Sequence, residues 1–135
     1  MKIILISCCS KKLNYPAKAK NLYCSALFKK SFTYAQKLNP DKIFILSAKY
    51  GLIDSKKEIS PYNITLNKMT EDETRRWSND VLKKLRKNFN LDDDKFIFLA
   101  GENYRKYLVT KIKNYEIPML GLGIGKQLQW LTKRI

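Results

Sequence analysis

Apolar residues fall along this chain in two patterns. In one they form short continuous blocks of four to six, and in the other they recur every three or four positions between polar residues. Lys2 to Ser7 is a block of the first kind, a β-branched run ending in a polar cluster, and predicts a buried first strand. From Asn21 to Leu38 the apolar positions Leu22, Ala26, Phe28, Phe32, Ala35 and Leu38 keep near the 3.6 period, and Asn39-Pro40 ends the pattern, which predicts a helix. Lys42 to Ala48 is a second strand. An irregular stretch follows, from Lys49 to Met69. Thr70 and Glu73 then form a capping box for a helix running to about Phe89, with Trp77, Val81, Leu85 and Phe89 at four-residue steps on its inner face. Asp92-Asp93-Asp94 reads as a solvated turn. Lys95 to Ala100 is the third strand, Asn103 to Lys113 a further helix, Ile117 to Leu120 a short fourth strand and Lys126 to Arg134 a closing helix.

Strands that are apolar on both faces and alternate with helices imply an α/β fold: a small, mostly parallel four-stranded sheet with helices on both faces, in three α/β/α layers joined by right-handed crossovers. At 135 residues, 44% hydrophobic and 12% aromatic, the chain is expected to form one domain over 1–135 that buries roughly two-thirds of its unfolded surface. No repeat, linker or low-complexity tract divides it. The apolar run Ile3-Ile4-Leu5-Ile6 is too short for a signal-peptide core, and nothing approaches a membrane span of roughly 20 residues. A cytoplasmic protein with no membrane partner is expected. Cys8, Cys9 and Cys24 have no metal-binding spacing, and reduced thiols are expected in that compartment.

Charge adds a direction. Twenty-seven Lys and Arg against twelve Asp and Glu give a net charge of +15, and residues 1–40 carry eight Lys and no acid. Residues 103–135 carry seven basic residues against Glu116 alone, while the middle of the chain nearly cancels. Such a field attracts phosphate backbones, so DNA is the expected partner, with RNA or a nucleotide as the alternatives. The competing reading is a general Lys bias, which explains residue choice better than it explains forty residues without a carboxylate.

In parallel α/β folds ligands bind beyond the carboxyl ends of the strands. The unusual segments occupy those positions: Ser7-Cys8-Cys9-Ser10-Lys11-Lys12, then Ser47 to Asp54, Gly101-Glu102-Asn103-Tyr104, and Gly121-Leu122-Gly123-Ile124-Gly125-Lys126-Gln127. The first offers hydroxyls and ammonium groups to a phosphate but has no glycine and is not a Walker loop. The chain has no His at all, which removes His-dependent nucleophilic catalysis and most zinc sites. No metal or cofactor is expected, and Asp54, Glu58 and Glu102 are left as the candidate acids or bases. Each also reads as an ordinary solvated or helix-start carboxylate. Cys8 reads as a small strand-end hydrophobe or as a nucleophile without a base. Tyr50, Tyr62 and Tyr104 stand beside Lys49 and Arg105, as base stacking requires, or else cap the core. Gly121, Gly123 and Gly125 could aim amides at an anion or simply let the last helix pack closely.

The blocks Ser47-Ala48-Lys49-Tyr50-Gly51-Leu52, Pro61-Tyr62 and Leu99-Ala100-Gly101-Glu102-Asn103-Tyr104 resemble the YaaA family of peroxide-stress, DNA-binding proteins over about half the chain. Over essentially the whole chain, the sequence is similar to short YaaA-like proteins that also carry a Ser-Cys-Cys-like first loop and the glycine run. YaaA-type folds are in turn similar to the uracil-DNA glycosylase superfamily. The resemblance implies DNA binding and, more loosely, base-directed chemistry in DNA repair or defence. On that reading the protein is a DNA glycosylase-like N-glycosidic hydrolase in which Asp54 or Glu102 positions water. Tyr50, Tyr62, Tyr104, Ser47 and Cys8 would surround the base, and Ser10, Lys11, Lys12, Lys49, Gly123, Gly125 and Lys126 would hold phosphates. The alternatives are a non-catalytic nucleic-acid-binding module and a nucleotide-binding domain.

Overall fold

A computed structural model describes all 135 residues, Met1–Ile135. The chain forms β1 (Lys2–Ser7), β2 (Ala17–Lys18), α1 (Ala19–Leu22), α2 (Ala26–Lys37), β3 (Lys42–Ser47), β4 (Gly51–Asp54), β5 (Glu58–Ile59), α3 (Glu71–Asn88), β6 (Lys95–Leu99), α4 (Glu102–Arg105), β7 (Tyr115–Glu116) and α5 (Ile124–Thr132). Single 3-10 turns at Leu66–Lys68 and Val109–Lys111 complete it.

Five strands make one sheet in the order β4-β3-β1-β6-β7, and β2 and β5 form a separate antiparallel pair. β1 runs parallel to both neighbours, Ile4 opposite Ile43 on one side and Ile97 on the other. β6 and β7 are also parallel. Ile3, Ile4, Leu5 and Ile6 are essentially inaccessible because both faces of β1 are covered. Ile3 and Leu5 join Phe96 and Phe98 under Trp77, Val81, Leu82 and Leu85 of α3. Ile4 and Ile6 join Ile45, Ile97 and Leu99 under Leu22, Phe28, Ala35 and Leu131 of α1, α2 and α5. The strand period of two thus sends alternate residues into two cores, and the fold has the expected mostly parallel α/β/α form.

The capping box of α3 is present: Thr70 Oγ1 accepts from the Glu73 amide and Glu73 Oε1 from the Thr70 amide. Acidic residues fill its first turn and Arg86 and Lys87 its last, matching the helix dipole.

Four elements differ from expectation. The helix expected from Asn21 breaks at Tyr23, whose backbone bridges Lys12, and α2 restarts after Ser25, whose hydroxyl accepts the Phe28 amide. The irregular stretch contains an antiparallel edge strand, β4, which doubles back along β3 from Gly51 (φ +72°). This makes five strands rather than four. The last strand is Tyr115–Glu116 rather than Ile117 to Leu120, where Pro118 has no amide to offer a ladder. The helix expected from Asn103 to Lys113 is one α turn and one 3-10 turn.

Because Leu5 is wholly enclosed, Leu5→Ala should lower unfolding free energy by about 3 kcal/mol, within the roughly 2–5 kcal/mol typical of such truncations. Lys83→Ala on the exposed face of α3 should stay within about 0.5 kcal/mol. Urea unfolding of both variants checks this; similar small losses would contradict the packing around β1.

Candidate functional site

The chain leaves β1 toward β3 on one side, and leaves β6 toward β7 on the other. That divergence opens a crevice at the carboxyl ends of the two central strands. A cleft of about 370 Å³ lies there. Its floor is apolar, with Ile6, Leu27, Phe28 and Leu99. Around them stand Ser7, Cys8 and Cys9 after β1, Gly101 to Tyr104 after β6, Ser25 before α2, Ile124 and Gln127 from α5, and Asn67.

Three helices begin beside this cleft, and residues of their first turns line it. α2 is capped by Ser25, but Gly101 and Gly123, which precede α4 and α5, supply no capping side chain. Gly123 and Gly125 thus lie where amides at the start of α5 are open. Glu102 is the only carboxylate on the cleft wall and takes part in no ion pair. Asn103 donates from Nδ2 to Asn67 Oδ1 at 2.7 Å, leaving an amide donor and a carbonyl acceptor of this pair without partners among themselves. Gln127 is held by its Nε2 on the Leu122 carbonyl. The Cys8 thiol lies 3.4 Å from the Tyr104 hydroxyl, which also accepts the Leu66 amide. Burial raises the Tyr104 hydroxyl above its ordinary range, with the Cys8 thiol adding to the shift. It therefore stays protonated as a neutral partner.

The second strand-end loop does not open into this cleft. A hydroxyl cluster separates them: Ser47 donates to Tyr62 at 2.8 Å, Tyr62 and Tyr23 share a hydrogen bond of 2.7 Å, and the Tyr50 amide donates to Ser47. Ser47 is fully buried, and its carbonyl also accepts Trp77 Nε1. Ser47 and Tyr62 are thus engaged with protein groups, while Tyr50 lines a neighbouring groove. Lys12 places its ammonium 4.4 Å from the Tyr62 ring centre, and Lys49 lies 5.2 Å from that of Tyr50. Ser10, Lys11, Lys49 and Lys126 are exposed, and no Lys or Arg lines the cleft itself.

Asp54 is the clearest departure from expectation. Because β4 runs antiparallel, Asp54 is carried back to a position opposite Phe44, near the start of β3, where it pairs with Lys42 at 3.4 Å. It lies at the opposite end of the sheet from Glu102. Glu58, on β5, is likewise outside the cleft. Gln127 stands in the glycine segment singled out in the sequence; of the residues absent from the sequence reading, Ser25 carried a signal as a helix cap. Asn67 carried none, since only folding brings it to Asn103.

The hydroxyl cluster has a pH consequence. Burial pushes the Tyr23 hydroxyl from its ordinary 10.0 to about 12, against the lowering effect of its bond to Tyr62, and burial raises Tyr62 further. The folded state therefore keeps protons that the unfolded chain loses. Their stabilising contribution is complete below about pH 10 and is lost as the pH rises toward 12. Stability measured by urea unfolding should fall over that window, with tyrosinate absorbance appearing late and together with unfolding. Tyr23→Phe should reduce the slope; a slope equal to that of the native chain would contradict the assignment.

No curated protein and no solved structure matches the chain. One family model does, over residues 3–133, and describes a family of unknown function. With nearly every residue inside that match, the chain belongs to the DUF6884 family.

Proposed function

We propose that this protein binds nucleic acid and takes one nucleobase into the strand-end cleft for N-glycosidic hydrolysis, with Glu102 as the reacting carboxylate. The observation that carries this reading is the composition of one cleft. A single unpaired carboxylate stands beside an apolar floor that includes Phe28, an amide pair and three helix starts, in a volume suited to a small ligand. Leu27, half-buried on the cleft wall, offers apolar surface to a ring. Asn67, Asn103 and Gln127 offer hydrogen-bonding groups to its edge. The YaaA-like blocks of the sequence and its net charge of +15 support the same partner.

In the proposed reaction Glu102 orients a water molecule and accepts its proton as the oxygen attacks the anomeric carbon. The new C–O bond replaces the C–N bond, whose electron pair leaves with the base. Open amides at the starts of α4 and α5 lower the energy of charge developing on the departing ring. The departing base takes a proton from solvent and Glu102 returns to solvent the one it accepted, so that one water is consumed for each base released. The exposed lysines Lys11, Lys49 and Lys126, with Lys12 beside Tyr62, lie outside the cleft and contribute through the phosphate backbone.

Glu102→Gln should lower base release from single-stranded or duplex DNA about 10²- to 10⁴-fold while retaining binding. Asp54→Asn, at the far end of the sheet, should leave the rate near that of the native protein. The assay offers normal, damaged and modified bases and quantifies free base by chromatography. Tight binding without release from any substrate leaves the non-catalytic module, and loss of release with Cys8→Ser but not Glu102→Gln transfers the chemistry to the thiol.

Replacing Lys11 and Lys12 together by Ala should weaken DNA binding and reduce the slope of log affinity against log salt by about 1.4–1.8, at roughly 0.7–0.9 per phosphate contact. A slope that does not move would remove these two lysines from the phosphate contacts.

A further inference from the structure

A smaller cavity of about 250 Å³ adjoins the cleft at the carboxyl end of β6, and the two have Ala100, Gly101, Glu102 and Gln127 in common in their walls. Its one cation is Arg105, which is half-buried. Arg105 Nε donates to the Ala100 carbonyl at 3.2 Å, so the side chain turns back toward the start of α4. The two terminal nitrogens of this guanidinium have neither a hydrogen-bond partner nor a carboxylate in the protein. The Gly121 amide on the same wall also donates to no protein group, whereas Leu120 and Leu122 on either side bond back to Ile117 and Met119.

A guanidinium held by one nitrogen and free at the other two presents the fork that binds a phosphate through paired hydrogen bonds. Glu102 and Gln127 stand where the two cavities meet. A carboxylate at that junction repels an anion, so the uncharged part of a ligand fits there, and an anionic part fits beyond it at Arg105, one turn further along α4. A ligand with a base at one end, a phosphate at the other and a neutral sugar between them has this order of groups.

We propose that the smaller cavity is a phosphate subsite, which takes the phosphate ester carried by the sugar whose base enters the cleft, so that one nucleotide unit is held at both ends with its N-glycosidic bond beside Glu102. The proposal rests on the cleft being a base site, and adds what grips the rest of the nucleotide. A free nucleoside monophosphate and a polynucleotide strand both supply such a phosphate.

The test titrates the full chain by calorimetry with the common deoxynucleosides, their 5′-monophosphates and short single strands lacking a terminal phosphate. The native protein should bind at least one phosphate-bearing ligand about tenfold more tightly than its nucleoside, as one charge-assisted contact supplies. Arg105→Gln should remove most of that advantage and leave nucleoside affinity as before. Lys133→Gln makes the same change of charge on an exposed residue at the far end of α5 and should move every affinity by less than about twofold, which separates a local contact from the general field. Gly101→Leu places a side chain at the junction. Gly101 has φ −64°, and an added Cβ meets no atom within 4 Å, so the backbone accepts the change without strain and the variant should fold while binding the phosphate-bearing ligand more weakly. A loss on Arg105→Gln confined to monophosphates marks the free nucleotide as the source, and an equal loss for the strands marks a phosphodiester. Phosphate-bearing ligands bound with native affinity by both Arg105→Gln and Gly101→Leu overturn the subsite while leaving the cleft reading standing. Absence of binding by every ligand overturns both.

Discussion

Everything at the carboxyl end of the sheet depends on the enclosure of β1. Four successive aliphatic residues leave it no polar face, so a parallel neighbour must stand on each side and a helical layer above and below. With β1 central, the chain leaves it in one direction and leaves β6 in the other, and the crevice between those exits is a geometrical result of strand order. Ser7, Cys8 and Cys9 lie at that crevice because they are the first residues past the buried block. Their position therefore follows from hydrophobic burial several residues earlier.

The hydroxyl cluster of Ser47, Tyr62 and Tyr23 is a second constraint, and it acts sideways. Buried hydroxyls are costly unless paired, and here each finds its partner on a different chain segment: the end of β3, the stretch after β5, and the break before α2. The pairing holds these segments in one arrangement. It also fills the space in which the second strand-end loop would otherwise have met the cleft. The result is two separate concavities on one rim, with tyrosine rings as the wall between them.

The sequence made legible those features that arise from local periodicity. The buried strands, the capping box of α3 and the polar loops after β1 and β6 follow from positions within a few residues of one another. Features set by distant pairing were not legible. Lys12 and Tyr23 break a helix through a backbone bridge, and the antiparallel return of β4 sends Asp54 away from the site even though it is only seven residues from Ser47. Asn67 meets Asn103 across 36 positions, and neither residue alone carries a pattern that anticipates the pair. The place of Glu102 was legible because it stands just past the end of β6, after Ala100 and Gly101, where the fold class itself places ligands.

The distribution of charge separates two tasks under the proposed function. Only Lys42, Arg75, Lys95 and Lys106 among the 27 basic side chains are paired with carboxylates, so the field around the molecule is largely uncompensated. That field reaches roughly 8–10 Å at ordinary ionic strength, enough to gather and orient a polyanion at the rim. It cannot choose among bases, because phosphates are alike in every sequence. The cleft has the opposite composition: no cation, one carboxylate, and amides and hydroxyls that distinguish donors from acceptors. Under the proposed function, the absence of lysine from this wall leaves Glu102 without an ion-pair partner in a protein otherwise rich in lysine.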